Sequence, residues 1–306
     1  MSIDRTNLRP ILIAGPTASG KSALAMAIAE RVGGMIVNAD SMQVYRELRI
    51  LTARPTPADE ARVPHALYGF VPASEAYSAG RFVRDAAEAI ASARARGERP
   101  IVVGGTGLYF KALLEGLSPV PEIREDVRAH WREEAERRGA EALHAELKAR
   151  DDIMAARLQP TDTQRIVRAL EVLESTGRSL SWWQTLKGTP VLNEAETVRL
   201  VVRVDRAELH ARADTRFAEM MRDGAADEAR ALSDLQLDPG LPAMRAIGVR
   251  PLLGVLRGDM SLEEAVVASQ AETRRYIKRQ ETWLKSHMIS WRPVETKDME
   301  SSMREI

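Results

Sequence analysis

Gly15-Pro16-Thr17-Ala18-Ser19-Gly20-Lys21-Ser22 decides how this chain is read. It has the spacing G-x-x-x-x-G-K-[ST], follows the apolar run Ile11-Leu12-Ile13, and precedes an alanine-rich helical pattern over 22–32. Strand, glycine loop and helix therefore stand in the order a phosphate cradle requires. Main-chain N–H groups in such a loop point inward, and the helix start adds partial positive charge. Lys21 would bind phosphate oxygens and Ser22 would ligate Mg²⁺. The motif predicts that residues 15–22 hold a diphosphate or triphosphate. It leaves open what happens to that phosphate.

Outward from the loop, Met35-Ile36-Val37 ends at Asn38-Ala39-Asp40-Ser41, and Ile101-Val102-Val103 ends at Gly104-Gly105-Thr106-Gly107. Helical patterns over 22–32 and 81–96 separate these runs, and Gly97 stops the second. Short apolar runs without alternation fit buried parallel strands, with helices on both faces. A strand is expected to return over 198–204, followed by a long helix over 206–232. Ser261 and Glu264 form a capping box that opens a helix to about Lys285. The expected fold class is α/β, a P-loop NTPase-like parallel sheet core flanked by helices. The middle differs. Ser118-Pro119-Val120-Pro121 reads as a linker. Residues 122–150 carry dense mixed charge, with sparse apolar positions at Val127, Trp131, Ala135, Leu143 and Leu147. A helix follows over 162–175, and Gly177, Gly188 and Pro190 punctuate what comes next. A helical insertion domain over 118–194 is expected within a core of 1–117 and 195–306. The polar tail over 295–306 reads as frayed.

The chain has 306 residues, 44% of them hydrophobic, enough for a sizeable core. Lys plus Arg equals Asp plus Glu at 44 each, so any contact with nucleic acid needs local clustering of charge. The absence of cysteine excludes disulfides and thiolate metal sites. The polar start has no signal-peptide core, and no apolar run approaches the roughly twenty residues of a membrane span. A soluble, cytoplasmic monomer with no membrane partner is expected.

A phosphate loop alone most often belongs to an ATPase or a kinase. Asp40 ends the second strand at the edge beside the loop, where it would serve as a general base or a water-mediated Mg²⁺ ligand. It would equally serve as a turn or cap residue. The third strand ends in glycines, without the acidic residue of an ATPase. These glycines allow close approach to a ligand, or simply a tight turn. Arg212 and Arg216, four apart, share a helix face that would reach a leaving diphosphate or lie in solvent. Further cations cluster in Gln164-Arg165-Ile166-Val167-Arg168 and Arg245-Ala246-Ile247-Gly248-Val249-Arg250. Arg274, Arg275, Lys278, Arg279 and Lys285, with Tyr276 and Trp283 interleaved, make another cluster. Cations with aromatics form nucleic-acid surfaces. Each run alone reads as a solvated face, and Trp283 alone reads as core.

Ordered phrases over about 10–290 resemble the tRNA isopentenyltransferase family, in particular its bacterial tRNA dimethylallyltransferases. They are the 15–22 loop, Asp40-Ser41-Met42-Gln43-Val44-Tyr45, Thr52-Ala53-Arg54-Pro55, Pro64-His65, Tyr77-Ser78 and Gly104-Gly105-Thr106-Gly107-Leu108-Tyr109. Asp162 with Gln164-Arg165 and Arg168-Ala169-Leu170-Glu171 continues the series, as do Arg216-Phe217 with Met220 and Gly224, residues 245–250, and Lys278-Arg279-Gln280 with Trp283-Leu284. Arg54 stands where the family often has Lys, and Ala66 where it has a second His.

The resemblance implies transfer of a dimethylallyl group from dimethylallyl diphosphate to N(6) of adenosine at tRNA position 37. The loop would then hold the donor's diphosphate in place of ATP, and the insertion would grip the anticodon stem-loop. Asp40 is the expected base. Lys21, Arg216, Thr17 and Mg²⁺ at Ser22 would stabilise the leaving diphosphate. Expected tRNA contacts are Asp40, Ser41, Met42, Gln43, Thr106, Arg128, residues 164–168 and residues 245–250. Two alternatives stand beside this: a small-molecule kinase using ATP, and a non-catalytic RNA-binding module with the loop as an anion anchor.

Overall fold

β1, Ile11–Ala14, is buried along its whole length and lies inside a six-stranded sheet. The computed structural model describes residues 8–295. The other strands are β2 (Gly34–Asn38), β3 (His65–Ala66), β4 (Arg99–Gly104), β5 (Val198–Arg203) and β6 (Arg292–Glu295). Their order is β3-β2-β4-β1-β5-β6, and every neighbouring pair is parallel. Side chains alternate across the sheet. Ile11, Ile13, Ile101, Val103 and Leu200 pack on one face with Leu24 and Ile28 of α1 (Lys21–Val32). Leu12, Ala14, Val37, Val102 and Val201 fill the opposite face. Both faces are covered, which is why the runs show no apolar–polar alternation. The expected order along the sheet needs one correction. β4 lies between β1 and β2, so Asp40 sits two strands from the glycine loop.

The next helices are α2 (Pro57–Arg62), α3 (Ala79–Ala95) and α4 (Gly107–Glu115). Phe82 of α3 stacks on Tyr109 of α4 at 3.8 Å between centroids, 7° from parallel. The chain forms two compact units, Glu115–Pro190 and the described residues on either side of it. The first contains α5 (Glu125–Arg150), α6 (Asp152–Ala155), α7 (Thr163–Thr176) and α8 (Leu180–Trp183). α5 is interrupted at Gly139, with φ 78° and ψ 168°. Val127, Trp131, Leu143 and Leu147 on either side of that break pack with Ile166, Ala169 and Leu170 of α7. The chain has rejoined the α/β core by Val191, ahead of residue 195. The N–H groups of Val191 and Leu192 both donate to the Leu113 carbonyl, and Leu192 is buried in the core.

The long helix expected over 206–232 is two helices, α9 (Arg206–Arg222) and α10 (Ala225–Asp234). Gly224 between them takes φ 103°, which no α-helical interior permits. α11 (Val249–Arg257) and α12 (Leu262–His287) follow, and the Ser261–Glu264 capping box is formed in both directions. Glu295, expected to open a frayed tail, pairs in edge strand β6 beside Arg203. β6 has a single buried residue, Val294, so its sequence carries no strand period. The rest of the tail and the first seven residues lie outside the described residues. Among the described residues no helix is long and apolar enough to cross a membrane.

Candidate active site

The loop between β1 and α1 is an anion nest built from alternating backbone hands. Ala18 takes φ 64° and Gly20 φ 83°, turning successive N–H groups toward one concavity. The N–H groups of Ala18, Gly20, Lys21 and Ser22 have no acceptor among the described residues. Ser19 is buried, and its hydroxyl has no partner among the described residues. Lys21 Nζ donates to the Pro16 carbonyl at 3.1 Å. Burial lowers the Lys21 pKa to about 8; the Asp40 carboxylate opposes the fall and the Arg216 guanidinium adds to it. Three loop N–H groups bond within the protein: Gly15 N donates to the Gly104 carbonyl and Ser19 N to the Pro16 carbonyl, both at 3.3 Å, and the third belongs to Thr17. Its N–H donates to Gln280 Oε1 at 2.9 Å.

Asp40 is both a turn residue and a site carboxylate. Its Oδ1 accepts from Met42 N at 2.9 Å and, weakly, from Gln43 N at 3.4 Å. Its own N–H donates to Asn38 Oδ1 at 2.8 Å. Oδ2 accepts no hydrogen bond among the described residues. Thr106, at the tip of β4, ties this turn down by accepting from Ser41 N at 3.0 Å. Gln43 donates to the carbonyls of Thr52 and Ala53, at 2.8 and 2.9 Å, and so fastens the next loop. The glycines from Gly104 to Gly107 leave room for the protein's own packing. A side chain at Gly104 would strike the Ala39 main chain, at Gly105 it would strike Gln280, and at Gly107 it would strike Trp283.

A cleft of about 600 Å³, part of it open to solvent, reaches the loop at Thr17. Thr17, Asp40 and Arg216 line one part, with Leu51, Phe217, Met220 and Ala246 as its apolar wall. α9 supplies Arg216, Phe217 and Met220, and α12 supplies Tyr276. Burial pulls the Arg216 guanidinium pKa down and the Asp40 carboxylate pulls it back; its Nε is buried without a partner among the described residues. Burial, then the Asp40 charge, raises the Tyr276 phenol. Arg212 takes no part in this: it pairs with Glu208 one turn back on α9 and does not line the cleft.

The remaining expected contacts divide. Met42, Ala246 and Ile247 line the cleft with Asp40. Gly248 and Val249 are buried behind it, so of residues 245–250 only Arg245 and Arg250 are exposed cations. On the insertion, the Ile166 side chain is 0% exposed in that unit's own core, and Val167 packs half-buried against it. Gln164 is exposed. Arg128, Arg165 and Arg168 pair with Glu125, Asp162 and Glu171 at 3.5, 3.2 and 3.4 Å. The α12 cations do not form one stripe either. Arg274 pairs with Asp214 at 2.8 Å, Tyr276 lines the cleft and Trp283 packs on Gly107. Arg275, Lys278 and Arg279 remain exposed. Sequence reasoning gave no role to Gln280. Its amide joins Thr17 N to the Gly105 carbonyl, the latter at 3.0 Å, and so locks the loop to β4 from α12. An uncharged amide between Arg279 and Glu281 in a charged helical run was the available signal.

Fold and site together define a P-loop NTPase-like α/β protein whose anion nest faces an apolar wall. The model of the family described as IPP transferase matches residues 43–287, and that described as isopentenyl transferase matches residues 8–64. The chain belongs to the IPP transferase family. It is 53% identical over 298 residues to a tRNA dimethylallyltransferase of Parvibaculum lavamentivorans, covering 97% of this chain and 94% of that one. It is 55% identical over 280 residues to one of Rhodopseudomonas palustris, covering 92% and 89%. A crystal structure of the tRNA isopentenylpyrophosphate transferase of Bacillus halodurans superposes with a TM-score of 0.70 at 31% identity, over 97% of this chain and 95% of that one. A eukaryotic dimethylallyltransferase acting on tRNA superposes with 0.82 at 27% identity, over 97% and 77%.

Proposed function

We propose that this chain transfers the dimethylallyl group of dimethylallyl diphosphate to the exocyclic N(6) of adenosine at tRNA position 37, beside the anticodon, releasing diphosphate. The observation that carries this is the meeting, in one cleft, of Thr17 of the loop, Asp40, Arg216 and the apolar wall of Leu51, Phe217 and Met220. A five-carbon allylic diphosphate has this same polarity, an anionic head and an apolar tail. The relatives over nearly the whole chain are tRNA dimethylallyltransferases, so the kinase reading is not favoured.

The chemistry follows from charge. As the allylic C–O bond breaks, negative charge grows on the diphosphate and positive charge spreads over the allyl group. Loop N–H groups, Lys21 and Arg216 stabilise the first. Adenine's exocyclic amine is a weak nucleophile because its lone pair is delocalised into the ring. The open Oδ2 of Asp40 accepts the proton the amine loses, for a gain of about 10²–10⁴-fold. Ser22 is exposed at the head of α1, and among the described residues no cluster of three or more His, Asp or Glu could hold a metal. This donor set fits Mg²⁺ carried mainly by phosphate oxygens and water, with Ser22 as its protein ligand. Bound there, Mg²⁺ would neutralise charge on the leaving group.

The target base must leave its stack, at a cost of a few kcal/mol that loop contacts offset. Ser41, Gln43, Thr106, Arg245 and Arg250 are the core groups proposed to hold the opened loop. Gln164 and the paired arginines Arg128, Arg165 and Arg168 are the insertion's contribution to gripping the anticodon stem. The enzyme is proposed to act in the cytoplasm as a monomer, with ATP as no more than a competitor for the loop. Incubation with labelled dimethylallyl diphosphate and tRNA, followed by nucleoside analysis, tests the reading. Label on N(6) of the anticodon-adjacent adenosine, with one diphosphate released per transfer, is expected. Unlabelled tRNA after prolonged reaction would overturn it.

A further inference from the structure

One carboxylate fastens the apolar wall from a distance. Glu228, on α10, accepts main-chain N–H groups from three consecutive residues: Arg49 and Ile50 on Oε2, both at 2.7 Å, and Leu51 on Oε1 at 2.8 Å. Leu51 is the first of these residues to reach the cleft, and Thr52 follows it. The loop is held on its other side by Gln43. Behind Leu51 there is no slack. A side-chain carbon at Gly248 would stand 2.9 Å from Leu51 Cδ2 and 3.2 Å from Phe217 Cε2. Gly248 itself has φ 91° and opens α11, so it has neither room nor conformation for a larger residue.

We propose that Glu228 is a positioning residue that presses Leu51 against Gly248 and Phe217, closing the cleft behind a five-carbon tail and excluding longer prenyl diphosphates. This rests on the proposed prenyl transfer. A carboxylate suits the task because both oxygens only accept; the amide of glutamine would turn a donor toward the N–H groups it faces. A closed apolar end discriminates by clash, and each displaced methylene is worth about 10–200-fold.

The test compares transfer to tRNA from dimethylallyl and geranyl diphosphates by wild type, Leu51→Ala and Glu228→Gln, with thermal melting of each protein. Wild type is expected to use the five-carbon donor almost exclusively. In both variants the ratio of the two kcat/KM values should fall by about tenfold or more, more steeply in Leu51→Ala. A merely structural role for Glu228 would lower melting temperature and slow both donors alike. That result, or a ratio in Leu51→Ala within about twofold of wild type, overturns the inference. Wild type that transfers neither donor would instead remove the prenyl-transfer reading itself. Should Glu228→Gln fail to fold, Leu51→Ala alone decides whether Leu51 closes the cleft, and Glu228→Asp, which keeps both acceptor oxygens on a shorter stem, decides the role of the carboxylate by the same ratio.

Discussion

The two sides of the cleft are built in opposite ways. The anion nest is a single contiguous run between β1 and α1, turned by its own backbone at Ala18 and Gly20 and pinned from outside by Gln280. The apolar wall facing it is gathered from Leu51, Phe217, Met220 and Ala246, on separate stretches of the chain. The phosphate cradle is set by local geometry that tolerates few alternatives, whereas the apolar shape and the charges of Asp40 and Arg216 are brought in by long-range packing. The nest should therefore fail sharply at single residues, whereas the wall should change selectivity before it loses activity.

The steepest break is expected at Asp40. Asp40→Ala should lower single-turnover transfer by about 10²–10⁴-fold while leaving tRNA affinity within a few-fold. Near-wild-type turnover would remove Asp40 from the chemistry. Next comes Arg216→Ala, which removes the guanidinium that lines the cleft with Asp40 and feels its charge. It should slow the chemical step by about 10²-fold with little change in tRNA dissociation. A change confined to tRNA binding would make Arg216 a backbone contact.

Gln280→Ala sharpens the link between nest and helix α12. It strands the Thr17 N–H and the Gly105 carbonyl, which should cost about 1–3 kcal/mol of stability, read by denaturant unfolding, and raise KM for the prenyl donor more than it lowers kcat. The pH dependence follows from Lys21, whose pKa is lowered to about 8. Bound diphosphate favours the ammonium, so affinity should fall as pH rises through about 8, by up to about tenfold per unit. Calorimetry checks this, and Lys21→Met should flatten the slope. The unfolded state holds this proton more tightly than the folded one, so this group's share of stability rises with pH between about 8 and 10.5. The smallest effect is expected at Arg212, which is tied to Glu208: Arg212→Ala should change transfer and stability by no more than about 0.5 kcal/mol.

Legibility in the sequence followed the same divide. The 15–22 loop, its strand and its helix were readable because all three are local and the spacing is chemically demanding. The parallel sheet was readable because both its faces are buried. Asp40 was found because it ends a strand, but its distance across β4 was not, since strand order is not a local property. Gly224 broke a helical pattern whose apolar spacing continued through it. The glycines from Gly104 to Gly107 read as room for a ligand or as a tight turn, and the neighbours that need their lack of a side chain, Ala39, Gln280 and Trp283, are distant in sequence. The same loss of local information hid Gln280 and Glu228, whose partners lie far along the chain.

The most direct test is ligand-dependent melting with dimethylallyl diphosphate and with ATP, each at equal concentration with Mg²⁺. A ligand at about 100 times its Kd stabilises the folded state by about 2.7 kcal/mol. The prenyl diphosphate should raise the melting temperature clearly more than ATP, and Lys21→Ala should abolish the difference. Equal or greater stabilisation by ATP, with its γ-phosphoryl group consumed, would contradict a nest and wall built for a prenyl donor.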